Sequence, residues 1–218
     1  VGGRDVTIID VNQDNDEDRR AFHLNHSAEN VVIDGFTIRG GSLSDPSIYG
    51  DHGGAAIFVS TGSPVLRNLI LENNSIQGLG LGSALYIGHA DNSGTSNPDL
   101  DNIIIRNNTA NMSDQNLSQA GAMAIVSAGG SYDNIEIYDN DKYGLYIHGL
   151  NGTVYLDSLY IHNNGEYGLK IEDHAVIMDN SIIENHTTGI DISHSLLCLF
   201  THVIVSNNNI GIAYDFQS

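Results

Sequence analysis

The residues with the clearest chemical potential alternate along three short segments, at positions 145–148, 169–172 and 190–193. Each segment places apolar residues at its first and third positions and polar residues at its second and fourth. The polar residues are Tyr146, His148, Lys170, Glu172, Asp191 and Ser193. Alternate residues of a β-strand point to opposite faces, so these side chains are expected to share one outward, solvent-facing surface. Tyr86 is expected further along it.

This outward set combines aromatic, basic and acidic groups, which suits a sugar polymer. Removing the C5 proton of a uronic acid needs a general base and neutralisation of the carboxylate. The candidate catalytic residues are Lys170, His148 and Tyr146, with Lys170 or His148 as the base. Glu172 and Asp191 could hold a neutralising cation. The residues expected to contact a bound substrate are Tyr86, Tyr146, Lys170, Glu172 and Asp191. The alternative is an ordinary ion network on a solvated face.

A second candidate site is the acidic segment 10–18, in which every second residue carries a side-chain oxygen. These residues are Asp10, Asn12, Asp14, Asp16 and Asp18. Their spacing resembles that of calcium loops, which bind through carboxylate and amide oxygens. The turn glycine of an EF-hand is replaced by Asn15 and its final glutamate by Ala21. A solvated acidic loop is therefore the alternative, and calcium is the one cofactor that the sequence suggests.

The three segments belong to a repeat that is clearest in the C-terminal half. The pattern Asn-x-x-x-Gly starts at Asn140, Asn164, Asn185 and Asn207, at intervals of 24, 21 and 22 residues. Asparagine tolerates the left-handed conformation of tight turns, and stacked asparagines can hydrogen-bond to one another. Asn140, Asn164 and Asn185 are therefore expected to stack at one corner.

Three short alternating segments per repeat, without a helical period, predict an all-β solenoid in which each rung pairs with the next. About seven rungs of three short strands fit the chain as a single domain over residues 1–218. The inward column is expected to contain Leu145, Ile147, Leu169, Ile171, Ile190 and Ile192. Neither end shows the polar cap that an open stack needs, so the domain is expected to be part of a longer protein.

Several motifs resemble the parallel β-helix repeats of the pectin-lyase-like superfamily. Residues 31–41 resemble an early rung of such proteins, and residues 53–57 resemble an element of bacterial surface β-helix proteins. The resemblance implies a right-handed parallel β-helix and a polysaccharide partner, but the fold hosts lyases, hydrolases, epimerases and adhesins. Residues 143–148 resemble a stretch of secreted mannuronan C5-epimerases, although Tyr146 occupies the position of that family's catalytic aspartate. The signatures of polygalacturonases and pectate lyases are absent.

The net charge of the chain limits the classes of partner that it can bind. Eight Lys and Arg residues against 27 Asp and Glu residues give a formal charge of −19, which repels nucleic acid and anionic lipid. No apolar run reaches the length needed for membrane insertion. The sequence thus predicts a secreted or cell-surface module that binds polysaccharide on an outward sheet face, and it leaves the oligomeric state open. The alternatives are a calcium-assisted polysaccharide lyase or uronate C5-epimerase, and a structural stalk.

Overall fold

The computed structural model describes residues 3–12, 18–25, 30–44, 53–78, 80–88, 96–111, 121–195 and 197–215. These residues form 23 strands and no α-helix. Accordingly, they include no helix of the length and apolarity that a membrane crossing requires.

The strands are short and follow one another at turns. In chain order they are β1 (Ile8–Asp10), β2 (Phe22–Leu24), β3 (Val32–Asp34), β4 (Thr37–Arg39), β5 (Ser42–Leu43), β6 (Ile57–Val59), β7 (Val65–Glu72), β8 (Ser75–Gln77), β9 (Gly82–Gly88), β10 (Asp99–Arg106), β11 (Thr109–Asn111), β12 (Gly121–Val126), β13 (Gly130–Tyr138), β14 (Tyr143–His148), β15 (Thr153–Asp157), β16 (Tyr160–His162), β17 (Tyr167–Glu172), β18 (Ala175–Asp179), β19 (Ile182–Glu184), β20 (Thr188–Ser193), β21 (Cys198–Thr201), β22 (Ile204–Ser206) and β23 (Ile210–Asp215).

The strands build three parallel sheets that run along the solenoid. The first sheet has 12 strands, with the central order β1-β4-β7-β10-β13-β15-β18-β21. A small second sheet has the order β11-β8-β5. The third sheet has eight described strands, in the order β2-β6-β9-β12-β14-β17-β20-β23. Each strand therefore pairs with strands of neighbouring repeats, which confirms the parallel β-helix that the repeat predicts.

The inward residues of the third sheet form the predicted column. Leu145, Leu169 and Ile190 are paired in register, and the second inward position of each strand follows the same pairing. All six predicted residues are at most 4% exposed. Burying one such side chain stabilises a fold by about 1.5–3 kcal/mol, so repetition of this column along the axis gives the solenoid a continuous core.

One corner carries a ladder of side-chain hydrogen bonds, which we call the asparagine ladder. Its members are Asn74, Asn108, Asn140, Asn164, His186 and Asn208. Each asparagine amide before the histidine donates to the ladder residue of the next repeat, as from Asn140 Nδ2 to Asn164 Oδ1 at 2.9 Å. The same Oδ1 also accepts the backbone N–H of Asn140 at 3.2 Å. Buried polar groups are thus satisfied from rung to rung.

The prediction that Asn185 belongs to this ladder is wrong, because His186 occupies the position. Asn185 instead adopts the left-handed turn conformation, with φ of 62°. The cause is the turn that leads to the third sheet. Two residues separate Asn164 from the start of β17, but only one separates His186 from the start of β20. Alignment on the following glycine therefore misplaces the ladder residue by one position.

A second corner carries the aspartate column, which consists of Asp101, Asp133, Asp157 and Asp179 paired in register. A left-handed asparagine of the next repeat donates to some of these carboxylates, as Asn134 does to Asp101 at 2.8 Å and Asn180 does to Asp157 at 2.9 Å. Ser158 occupies the equivalent left-handed position beside Asp133. Burial and the charges of neighbouring aspartates raise the pKa of Asp133.

The last described strand leaves core positions uncovered. Ile212 pairs in register with Ile190 and therefore faces inward, yet it is 54% exposed whereas Ile190 is fully buried. The described residues supply no further strand to cover this end of the core.

Candidate functional site

The outward positions of the third sheet form two columns in the predicted register. Tyr146, Lys170 and Asp191 are paired in one column, and His148, Glu172 and Ser193 in the other. Tyr86 lies in the first column, two strands before Tyr146 and separated from it by Ala124. We define the Lys170 cluster as Tyr146, His148, Lys170, Glu172 and Asp191.

The expectation that Tyr86 and Tyr146 face solvent is wrong, since both are 0% exposed. They belong to a second apolar cluster on the outward side of the sheet, together with Phe58, Ala124, Val126 and Tyr143. The rings of Phe58 and Tyr86 meet edge to face at 5.2 Å between centroids. The two tyrosines point away from the main core as predicted, but a packed layer covers them, so they cannot contact a ligand directly.

Lys170 forms the centre of the cluster. Its Nζ lies 2.9 Å from Glu172 Oε1, and each side chain is only 15% exposed. Burial alone would lower the pKa of Lys170, but the hydrogen bond and charge of Glu172 outweigh it and leave that pKa raised. Burial opposes ionisation of Glu172, but hydrogen bonds from Tyr146 and Lys170 leave its pKa lowered. The ion pair with Glu172 therefore favours the charged form of Lys170, whereas a general base needs the neutral amine. The catalytic role of Lys170 stays a prediction.

The buried Tyr146 forms a hydrogen bond with the carboxylate of this ion pair. Its hydroxyl donates to Glu172 Oε2 at 2.7 Å, and burial followed by the negative charge of Glu172 raises the pKa of Tyr146. His148 Nδ1 lies 3.8 Å from the same oxygen, beyond hydrogen-bond distance, and the histidine side chain is 41% exposed. Within the described residues, Nδ1 of His148 is buried and has no hydrogen-bond partner, although the side chain as a whole is partly exposed.

Asp191 lies beside Lys170 on the next strand. Burial raises the pKa of Asp191, an effect that the charge of Lys170 opposes and that Glu172 and Asp215 reinforce. Within the described residues no hydrogen bond is made to its carboxylate, so Asp191 retains the capacity to accept hydrogen bonds from a ligand.

Tyr143 and Tyr167 are parts of this site that the sequence did not predict. Their ring centroids lie 5.7 and 5.5 Å from Lys170 Nζ, within the range of cation–π attraction. The two rings meet edge to face at 4.7 Å. The available signal was the Tyr-Gly pair that begins both β14 and β17, two neighbouring strands of the third sheet, because this pair supplies both rings.

The candidate calcium segment is only partly described, because Asp14 and Asp16 lie outside the described residues. Asp10 accepts a hydrogen bond from Arg39 at 2.8 Å, which lowers the pKa of the aspartate. Asn12 donates its backbone N–H to Asp10, and Asp18 accepts the backbone N–H of Ser44. Over the part of the chain that the structure describes, no three His, Cys, Asp or Glu side chains converge as a metal site would require.

Comparison with known proteins identifies the family. No curated protein and no solved structure matches the chain. A family model described as a right handed beta helix region matches residues 20–210. That range includes the asparagine ladder and the whole Lys170 cluster, and the parallel sheets agree with it. The protein therefore belongs to the right-handed β-helix family.

Proposed function

We propose that this protein is a secreted or cell-surface module that binds polysaccharide at the Lys170 cluster. The supporting observation is the half-buried ion pair of Lys170 and Glu172, whose atoms lie 2.9 Å apart, with Tyr146 and Asp191 beside it in one patch of a sheet face. The pKa values of all four groups are shifted. Ionisable groups perturbed in this way cluster at functional sites. A half-buried ion pair must be desolvated and is therefore weak evidence for a role in stability. A role in ligand recognition explains its presence better.

The chemistry of the patch suits sugar hydroxyls, which both donate and accept hydrogen bonds. Lys170 can donate, while Asp191 and Glu172 can accept, and bonds to charged groups are stronger than neutral ones. The partly exposed ring of Tyr167 adds an apolar surface. Three strands span roughly 10 Å at the strand spacing, which is comparable to a disaccharide.

The charge of the patch supports one class of polysaccharide over another. One ammonium group faces two carboxylates, in a chain with a formal charge of −19. A polyanion would be repelled unless a divalent cation intervened. An uncharged or calcium-bridged polysaccharide is therefore the proposed partner.

A lyase or uronate C5-epimerase is the second candidate, and the position of His148 favours it. His148 is partly exposed beside the Tyr146–Glu172 hydrogen bond and could act as general base, with Lys170 neutralising a substrate carboxylate. Binding without cleavage remains the preferred function, because the tyrosine hydroxyl and the ammonium group are already held by Glu172.

A glycan array with and without calcium, followed by calorimetry on the bound glycans, tests this proposal. Lys170→Met and Asp191→Asn should each weaken binding by on the order of tenfold, the loss of one good polar contact. Tyr155→Ser is the matched control, because Tyr155 is exposed on the first sheet. Equal affinity in all variants would place the binding site elsewhere. Unsaturated ends released from polyuronates by the wild type, but not by His148→Ala, would establish the enzyme instead.

A further inference from the structure

The asparagine ladder contains one histidine, and its two ring nitrogens have different partners. His186 is 5% exposed. Its Nε2 lies 3.3 Å from Asn164 Nδ2, and its Nδ1 lies 3.3 Å from Asn208 Oδ1. The ring therefore replaces an asparagine side chain between an amide donor and an amide acceptor.

The neighbouring amides determine where the ring carries its proton. Asn164 Oδ1 accepts two hydrogen bonds from Asn140, so its Nδ2 must be the group that faces His186. Asn208 Oδ1 accepts the backbone N–H of His186 at 2.8 Å, so an oxygen faces Nδ1. Nε2 must therefore accept and Nδ1 must donate, which only the neutral ring protonated at Nδ1 can do.

A second proton on the ring would disrupt this arrangement. It would place an N–H on Nε2 directly against the N–H of Asn164, so that two donors face each other without an acceptor. Burial is the main reason why the pKa of His186 is lowered to about 4. The titratable groups whose charges act on the pKa of His186 are His162, which lowers it, and Glu184, which raises it.

His186 lies at the start of two strands that form the Lys170 cluster. A Cβ built on Gly168 would lie 2.9 Å from His186 Cε1, so the ring packs directly against β17 two residues before Lys170. On its other side, β20 begins at Thr188 and carries Asp191. Displacement of the ring would therefore disturb both strands that present the central ion pair and its neighbouring carboxylate.

We propose that His186 is a pH-operated latch for the Lys170 site, whose protonation opens the ladder, loosens the starts of β17 and β20, and releases a bound polysaccharide. The release step rests on the proposed function, whereas the opening of the ladder does not. The device would retain ligand near neutral pH and release it in acid.

The latch is tested on the free protein by hydrogen exchange between pH 7 and pH 4. In the wild type, protection of amides in residues 168–172 and 188–193 should fall by at least tenfold relative to β12 as the pH is lowered. His186→Asn restores an all-asparagine ladder and should abolish this extra loss. His194→Asn is the matched control, because His194 is an exposed histidine outside the ladder, and it should behave as the wild type. Equal loss in wild type and His186→Asn would overturn the latch.

Stability provides an independent measure with a defined sign. The unfolded state binds more protons at His186 than the folded state does between pH 6.5 and about 4. The stability that the neutral ring contributes is therefore fully present above pH 6.5 and is lost as the pH falls through that window. The unfolding constant of the wild type should rise by on the order of a hundredfold relative to His186→Asn. No relative change would also overturn the latch.

The ligand arm repeats the glycan array at pH 7 and pH 4, where about half of His186 is protonated in the folded protein. Wild-type signals should fall at the lower pH by more than those of His186→Asn. Equal loss in both proteins would overturn control of the site by His186. An array without any signal at either pH would refute the proposed function, while hydrogen exchange would still decide whether the latch exists.

Discussion

The outward face of the third sheet differs between its two halves, although one column of paired residues runs through both. From β6 to β14 the column contains Phe58, Tyr86, Ala124 and Tyr146, which are buried in a second apolar layer. In β17 and β20 it contains Lys170 and Asp191, which are polar and partly exposed, and in β23 it ends at Ala213. The difference teaches that strand alternation determines the direction of a side chain but not its exposure, because an outward side chain can still be covered.

The two halves meet at Tyr146, which belongs to both. Its ring packs in the apolar layer and its hydroxyl bonds to Glu172 in the polar patch. The apolar half therefore positions the ion pair of the polar half, and a ligand would contact only the latter.

The largest expected effect tests whether the first half is a packed layer. Tyr146→Ala should lower the free energy of unfolding by about 3–5 kcal/mol, the usual cost of truncating a buried aromatic ring. Tyr146→Phe keeps the ring and should cost about 1.5–3 kcal/mol, because it removes one hydrogen bond to a charged group. Urea denaturation measures both. A cost below 1 kcal/mol for Tyr146→Ala would remove the distinction between the two halves.

The second largest effect on stability tests whether the asparagine ladder runs through both halves. Asn164→Ala, at the border, should destabilise by about 1–3 kcal/mol because its partners lose buried hydrogen bonds. Asn108→Ala, beneath the apolar half, should cost a similar amount. Asn185→Gly is the control, since glycine tolerates the positive φ and Asn185 lies outside the ladder. If the urea midpoint of Asn164→Ala matched that of the control, the ladder would have no structural role.

The third effect concerns the repeat where the halves meet, in which Ser158 stands at the left-handed position beside Asp133. Ser158→Asn should supply the hydrogen bond that Asn134 and Asn180 give to their aspartates. It should stabilise the fold by about 0.5–1.5 kcal/mol and lower the pKa of Asp133. Carboxyl titration by NMR and urea denaturation would detect this. An unchanged titration of Asp133 would show that the bond does not form.

The smallest effect is calcium at the N-terminal end. If the segment 10–18 binds calcium, a concentration equal to Kd should stabilise the protein by about 0.4 kcal/mol, and higher concentrations by more, by mass action. Millimolar calcium should then raise Tm, and a protein carrying both Asp14→Asn and Asp16→Asn should lose the increase. An equal shift in this variant would locate calcium elsewhere, and no shift in the wild type would exclude the site.

The sequence was sufficient for the fold and for the register of the Lys170 cluster. A two-residue alternation within a repeat of about 22 residues places Lys170 beside Tyr146 and Asp191, and the structure has these pairs. The ladder position of His186 was not predictable from that pattern, because it depends on a turn that is one residue shorter.

The exposure of the site required the structure. Burial of Tyr86 depends on side chains from several repeats that pack over the sheet, and no periodicity within one repeat encodes that cover. The placement of Tyr143 and Tyr167 around Lys170 likewise depends on how side chains lean between rungs. The ion pair of Lys170 with Glu172, at 2.9 Å, also depends on how these side chains lean and could not be read from the residue types.

The uncovered core at Ile212 has a consequence for how the molecule comes apart. In a solenoid each rung is stabilised chiefly by its neighbours, and the rung that contains β23 has a described neighbour on one side only. Whenever nothing covers Ile212, this rung should unfold before the rungs that are packed on both sides. Asn208 lies on it and is the acceptor of His186, so loss of this rung and protonation of His186 would weaken the same hydrogen bond.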